Sequence, residues 1–244
     1  MSGRPAGANA ARHALVYTEN YVVDIGPHVF PVVKYPMTVD RLVERCGVGR
    51  DEFLVPDPAT SEQMRLVHDD EYIDDLTALR WTPRTMRSEL PLTREIADAY
   101  ILAAGGTILA AREALAREGF GIHVGGGFHH AYPGHGEGFC YINDIAVAIR
   151  VVQRQGLIRK AAVVDCDLHQ GNGTAAIFRD DPTVFTFSIH QENNYPPKEP
   201  GDMDVGLRDG ATDKDYLQGL GLCIPKRLDD FEPYVRPADR LALP

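Results

Sequence analysis

Ala161-Ala162-Val163-Val164-Asp165-Cys166-Asp167-Leu168-His169-Gln170-Gly171-Asn172-Gly173 joins an apolar run to three metal-capable side chains at alternate positions. Read as a strand, period-two geometry puts Asp165, Asp167 and His169 on one side at its carboxyl end. Open α/β sheets keep their active sites there. Two oxygen donors and one imidazole suit a catalytic zinc site with an open position better than a closed structural one. The plainer reading is a solvated strand-to-loop junction, since Asp, Asn and Gly are common turn residues.

A second apolar run, at 120–124, ends in Gly125-Gly126-Gly127-Phe128-His129-His130. Consecutive glycines let the backbone approach a ligand closely and take up positive φ. Adjacent histidines in a strand point to opposite faces and make poor joint ligands. In a loop they can serve as a proton-transferring pair, because their pKa lies near neutrality. An exposed, histidine-containing loop is the competing reading. His135 and Glu137, flanked by glycines, fit either a place near the metal or a simple loop role.

These segments together resemble the histone deacetylase family, on its class IV and bacterial deacetylase-like branch. The resemblance rests on Gly-Gly-Gly-Phe-His-His (125–130), Gly-Phe-Cys-Tyr-Ile-Asn-Asp (138–144) and Asp-Cys-Asp-Leu-His-Gln-Gly-Asn-Gly (165–173). Thr-Phe-Ser-Ile-His (186–190), Asn-Tyr-Pro (194–196) and the early Ile-Gly-Pro-His-Val-Phe-Pro (25–31) continue it. It implies an arginase/deacetylase-like α/β fold with a parallel sheet and flanking helices. It also implies a zinc-dependent amidohydrolase that removes acetyl or longer acyl groups from lysine. Asp167 and His169 would be two of three zinc ligands. His129 and His130 would flank the attacking water, with His130 the general base. Asp165 would hold His129 and Asn172 would hold His130, fixing tautomer and ring direction. A neutral asparagine should leave His130 a weaker base than an aspartate would. Gly138, Phe139 and Tyr195 would line a tunnel for the acylated chain. A potassium ion would sit among backbone oxygens at Asp165, Asp167, His169 and Ile189, with Ser188. The substrate would be an acyl-lysine protein or an acetylated amine.

The sequence also departs from the family. A third zinc ligand, expected from a later Gly-Ala-Asp-type loop, and an oxyanion tyrosine after two glycines are not recognisable. Asp239, in Ala-Asp-Arg-Leu, stands as a relic of the third-ligand region or as part of a charged, frayed terminus. Tyr234 lacks the preceding glycines. The expectation is one domain over 13–244, incomplete at its C-terminus, with the last strands and helices missing or altered. Such a loss would expose sheet edge and apolar surface. A deleted, frameshifted or cut tail would account for it, and oligomerisation would compensate for the shortfall. Two other readings follow: an inactive homologue that at most binds metal or acyl-lysine, and an arginase-type two-metal hydrolase. The latter wants an aspartate where Gly171 stands.

The 244 residues, 44% of them hydrophobic, suffice for a sizeable core. Thr93 would cap a helix over 93–118 with Ile96, Tyr100, Ala104, Ile108, Ala111 and Leu115 on one face. Asn143 or Asp144 would cap a helix over 143–155, with Ile145, Ile149 and Val152 inward and Gly156 at its end. Strands are expected near 15–17, 120–124, 161–165 and 183–189, and helices near 60–80 and 172–179. This alternation predicts a parallel α/β sheet. Lys214-Asp215-Tyr216-Leu217 starts like a helix, which Gly219, Gly221 and Pro225 should interrupt. The stretch 193–213 reads as a loop.

A net charge of −10 argues against nonspecific nucleic-acid binding and suits a cationic peptide or polyamine substrate. Cys46, Cys140, Cys166 and Cys223 show no close paired spacing, as reduced thiols of a cytoplasmic protein would. No 18-residue apolar span is apparent, so no membrane association is expected. Residues 1–12 are rich in Gly, Ala and Arg and read as disordered rather than as a signal peptide.

Overall fold

The computed structural model describes residues 13–231. The expected disorder at 1–12 and the Asp239 relic lie outside the described residues. The chain separates into two compact units, 1–152 and 153–244.

In the first unit β1 (His13–Val16) is the middle strand of a parallel sheet, between β2 (Phe53–Leu54) and β3 (Phe120–His123). Between β1 and β3 run the helices α1 (Lys34–Cys46), α2 (Ser61–Met64), α3 (Asp70–Thr77), α4 (Pro83–Met86) and α5 (Arg94–Arg117). α5 starts as expected: Thr93 Oγ1 accepts the Ile96 N–H at 3.3 Å, a cap contributing about 1 kcal/mol. Ile96, Tyr100, Ala104 and Ile108 are buried, while Ala111 and Leu115 are half-buried. Two glycines break the helix-propensity rule at the centre of α5. A methyl at Gly105 would stand 1.8 Å from the Asp57 carbonyl oxygen, and one at Gly106 2.3 Å from the Tyr21 hydroxyl. Close approach of neighbouring groups outweighs the ~1 kcal/mol per glycine that helix propensity gives up.

α5 corrects one expectation. By length and composition it is apolar enough to cross a membrane. Its Ile96, Tyr100, Ala103 and Ile108 nonetheless belong to the buried core of this unit. α6 (Asp144–Arg154) follows, with Asn143 as its cap: the Ala146 N–H donates to Asn143 Oδ1 at 3.0 Å. Its inward face differs from the expected one. Ala146, Val147, Ala148, Val151 and Val152 are buried, and Ile145 and Ile149 are only half-buried. The buried Asp144 turns the face toward residues three and four positions further on.

In the second unit β4 (Ala161–Asp165), β5 (Val184–Gln191) and β6 (Met203–Leu207) form a second parallel sheet in that order. α7 (Asn172–Phe178) joins β4 to β5, and α8 (Asp213–Phe231) follows β6. β6 corrects the reading of 193–213 as a loop. Met203, Val205 and Leu207 alternate with more exposed residues, a period of two in a stretch dominated by Pro and Gly. α8 corrects the expected interruption, since it runs through Gly219, Gly221 and Pro225. Gly219 has a packing reason. A methyl there would meet Ile189 Cδ1 at 3.2 Å and Val205 Cγ1 at 3.4 Å, so glycine lets α8 sit close on β5 and β6.

β3 and β4 are edge strands among the described residues. Phe120 and Ile122 on β3 and Val164 on β4 are exposed.

Candidate functional site

In the first unit the loop that carries the histidine pair hangs from the start of α6. The fully buried Asp144 carboxylate accepts the N–H groups of Gly127 at 3.0 Å and Phe128 at 2.7 Å. It also accepts the Thr107 hydroxyl. Gly127 has φ +98°, which L side chains rarely adopt. Asn143 completes the template. Its Nδ2 lies 3.4 Å from the His129 carbonyl and 3.3 Å from that of Ala131, and its N–H donates to His68 Nε2 at 3.1 Å. With Nε2 accepting, the His68 proton sits on Nδ1 and is given to the Tyr132 carbonyl at 2.9 Å. Burial holds His68 down to about 4, so it is neutral. Burial likewise holds His123 to about 4, against the opposing charge of Asp144. His123 reaches Thr107 Oγ1 and the Tyr21 hydroxyl, each at 2.9 Å.

This scaffold buries His129 and His130 with their ring centroids 4.1 Å apart. The exposed-loop reading is thereby corrected: three layers of hydrogen bonds fix the backbone on both sides of the pair. Asp144, Asn143 and His68 were missed as site residues. The signal was a carboxylate directly after the helix cap Asn143; once buried, such a group is costly unless several donors meet it.

Gly138 and Phe139 form the corner of a tight turn. Glu137 and Cys140 exchange both backbone hydrogen bonds, at 3.0 and 2.8 Å, and φ is +50° at Gly138 and +63° at Phe139. That is the type I′ geometry, in which a non-glycine second residue is strained. Two partners hold the strain. The Phe139 N–H donates to the Ser88 carbonyl at 2.9 Å, and the Tyr100 hydroxyl donates to the Phe139 carbonyl at 2.6 Å. Beside the turn, His135 stacks on Tyr132 at 4.6 Å and lies 3.4 Å from Glu137, which pairs with Arg87 at 2.5 Å. The ion pair with Arg87 fits the loop role for Glu137.

In the second unit the structure corrects how Asp165, Asp167 and His169 come together. β4 ends at Asp165, so strand alternation does not extend to the other two. Instead Asp165 Oδ1 accepts the Asp167 N–H at 3.0 Å, and Asp167 Oδ1 accepts the His169 N–H at 2.8 Å. Two successive Asx turns carry the chain off the strand end. They leave His169 Nδ1 3.3 Å from Asp167 Oδ1, with the Asp167 side chain about half exposed. The Tyr195 ring lies 5.9 Å from that of His169. Asn172 is fully buried at the first turn of α7. Gln170, also missed, is buried and accepts the Glu199 N–H at 2.9 Å while donating to Asp204 at 2.8 Å.

Asp165 pairs in register with Ser188, whose hydroxyl is 2.9 Å from His190 Nδ1, and Ile189 is fully buried. Asp165, Ser188 and Asp204 line a cavity of about 10 Å³. Asp204 is already engaged there, accepting from Gln170 Nε2 and the Gly201 N–H, each at 2.8 Å. Asp167 and His169 present one hard carboxylate oxygen and one borderline imidazole nitrogen 3.3 Å apart. Asp239 lies outside the described residues, and no group of three or more His, Cys, Asp or Glu fit to hold a metal occurs among the described ones.

A family model of the histone deacetylase domain matches residues 28–236. An uncharacterized protein of Picosynechococcus sp. is 39% identical over 226 residues, covering 91% of this chain and 74% of that protein. A probable deacetylase of Archaeoglobus fulgidus is 32% identical over 213 residues, covering 80% of this chain and 58% of that protein. The crystal structure of a histone deacetylase homologue from Aquifex aeolicus superposes with a TM-score of 0.72 at 24% identity, over 93% of this chain and 66% of the other.

Proposed function

The chain belongs to the histone deacetylase family, and from that premise we propose that it is a zinc-dependent amidohydrolase acting on acyl-lysine. The observation that carries this reading is the double Asx turn, which brings Asp167 Oδ1 and His169 Nδ1 within 3.3 Å at a strand end. Asp167 and His169 would hold zinc, with Asp239 the candidate for the third place. When bound, zinc polarises an amide carbonyl and the attacking water. His130 takes the proton from that water and returns it to the leaving lysine amine, and His129 shares the developing positive charge. Asp165 and Asn172 would serve as orienting partners of the pair. Burial excludes bulk water from both imidazoles, which strengthens their electrostatic coupling to the reacting groups. Gly138, Phe139 and Tyr195 would flank the acylated chain, and Asp165, Asp167, His169, Ser188 and Ile189 would hold potassium. The working compartment is cytoplasmic in this reading, with an acyl-lysine protein or acetylated amine as partner.

A second reading, a homologue that binds acyl-lysine without turnover, draws on there being no group of three or more metal-capable side chains among the described residues. One experiment separates them: zinc content of the purified 244-residue chain, measured with turnover of an acetyl-lysine reporter peptide. Near-stoichiometric zinc with chelator-sensitive turnover supports the enzyme. Substoichiometric zinc with no turnover sinks it.

A further inference from the structure

We propose that His28 reads the peptide backbone of the substrate, its Nε2–H donating to a main-chain carbonyl next to the acyl-lysine. The inference rests on the acyl-lysine reading and names the substrate class as a peptide rather than a free amine. The Phe30 N–H donates to His28 Nδ1 at 3.1 Å, so that nitrogen is an acceptor and the ring proton sits on Nε2. The ring is held in place as well. It stands edge-on to Phe139, centroids 4.6 Å apart at 88°, and Phe30 closes on the same ring at 6.2 Å. Among the described residues the one buried side-chain polar atom without a partner is His135 Nε2. His28 is half-buried, and its Nε2 makes no hydrogen bond among the described residues and is not enclosed.

The result is a stiff donor, not enclosed, fixed beside the aromatic side chain proposed to flank the acylated chain. Beyond its packing on Phe139, the imidazole supplies two polar atoms: Nδ1, which accepts the Phe30 N–H, and the Nε2–H donor. Lys34 Nζ lies 4.4 Å over the Phe30 ring on the same wall.

The test is isothermal titration of the full chain, with zinc present, against two ligands. One is a capped tripeptide centred on acetyl-lysine. The other is N-pentylacetamide, the same acylated side chain without a backbone. His28→Phe should weaken the tripeptide about five- to tenfold, the worth of one hydrogen bond, and leave N-pentylacetamide unchanged. His28→Gln, which restores an N–H donor without the ring, should recover most of that loss. A parallel shift for both ligands, or no shift for either, overturns the inference while the acyl-lysine reading stands. Failure of the unsubstituted chain to bind either ligand overturns that reading, and this inference with it.

Discussion

Asp144 Oδ1 accepts the Phe128 N–H at 2.7 Å, tying the first residue of a helix to a loop sixteen positions earlier. The same carboxylate takes the Gly127 N–H and the Thr107 hydroxyl, so one buried group sets the backbone that leads into His129 and His130. Asp144→Ala should leave two backbone donors unsatisfied and lower unfolding free energy by roughly 2–4 kcal/mol. Asp144→Asn keeps one acceptor oxygen and should cost about half as much. Urea denaturation of both variants checks this, and an alanine variant within 0.5 kcal/mol of the parent would show that the loop does not depend on Asp144.

The buried histidines give stability a defined pH window. In the unfolded chain an imidazole takes up its proton near 6.5, whereas burial holds folded His68 and His123 to about 4. Lowered folded values mean that stability is complete above about 6.5, falls as pH drops through the window and levels off below about 4. The His68 shift alone corresponds to about 3 kcal/mol over the whole window. Unfolding curves at pH 7.5, 6, 5 and 4 should show this decline, with a shallower slope for His68→Gln. An identical slope in the variant would rule His68 out as the source.

Tyr100 and Phe139 form the second positional lock. The Tyr100 hydroxyl meets the Phe139 carbonyl at 2.6 Å, on a residue whose φ is +63°. Tyr100→Phe removes only that hydroxyl, and the freed carbonyl should let the strained turn relax and Phe139 shift. The expected result is a three- to tenfold rise in KM for an acetyl-lysine peptide, with kcat changed less than twofold. A fall in kcat at constant KM would instead place Tyr100 in the chemical step.

α8 offers a paired test of packing against propensity. In an open helix interior, Gly→Ala stabilises by about 1 kcal/mol. Gly221 has nothing within 4 Å of the added methyl, so Gly221→Ala should gain that amount. At Gly219 the methyl would press on Ile189 at 3.2 Å and Val205 at 3.4 Å, so Gly219→Ala should gain nothing or lose up to about 1 kcal/mol. Equal gains at both positions would mean that α8 does not rest tightly on β5 and β6.

Much of this architecture was legible because it rests on local signals. Thr93 ahead of an amphipathic run, Asn143 ahead of another, and an apolar strand ending in Asp165 each state an element and its boundary. What escaped reading depends on tertiary contact. Gly219 looks like a breaker until Ile189 and Val205 are seen beneath it, and β6 alternates through a stretch whose composition says loop. Asp165, Asp167 and His169 were read as one side of a strand, but β4 ends at Asp165. Their spacing of two fits Asx turns as well as a strand, and the backbone chooses the turns once β5 ends its pairing with β4 at Ser188. Asp144 was legible as a helix start but not as the anchor of a loop, because sequence does not say which donors meet a buried carboxylate.

The division of labour between His169 and His130 supplies the last prediction. His169 stands within 3.3 Å of Asp167 beyond the end of β4, whereas His130 is buried against His129 in the glycine-rich loop. If the first is a ligand and the second a base, their alanine variants should fail differently. His169→Ala should weaken zinc retention at least tenfold and abolish turnover with it. His130→Ala should lower turnover by roughly 10²- to 10⁴-fold while zinc content stays that of the parent. Metal analysis alongside single-turnover kinetics reads both quantities on the same samples. Zinc lost together with activity in His130→Ala would move His130 into the ligand set, and Asn172 would then be positioning a ligand rather than a base.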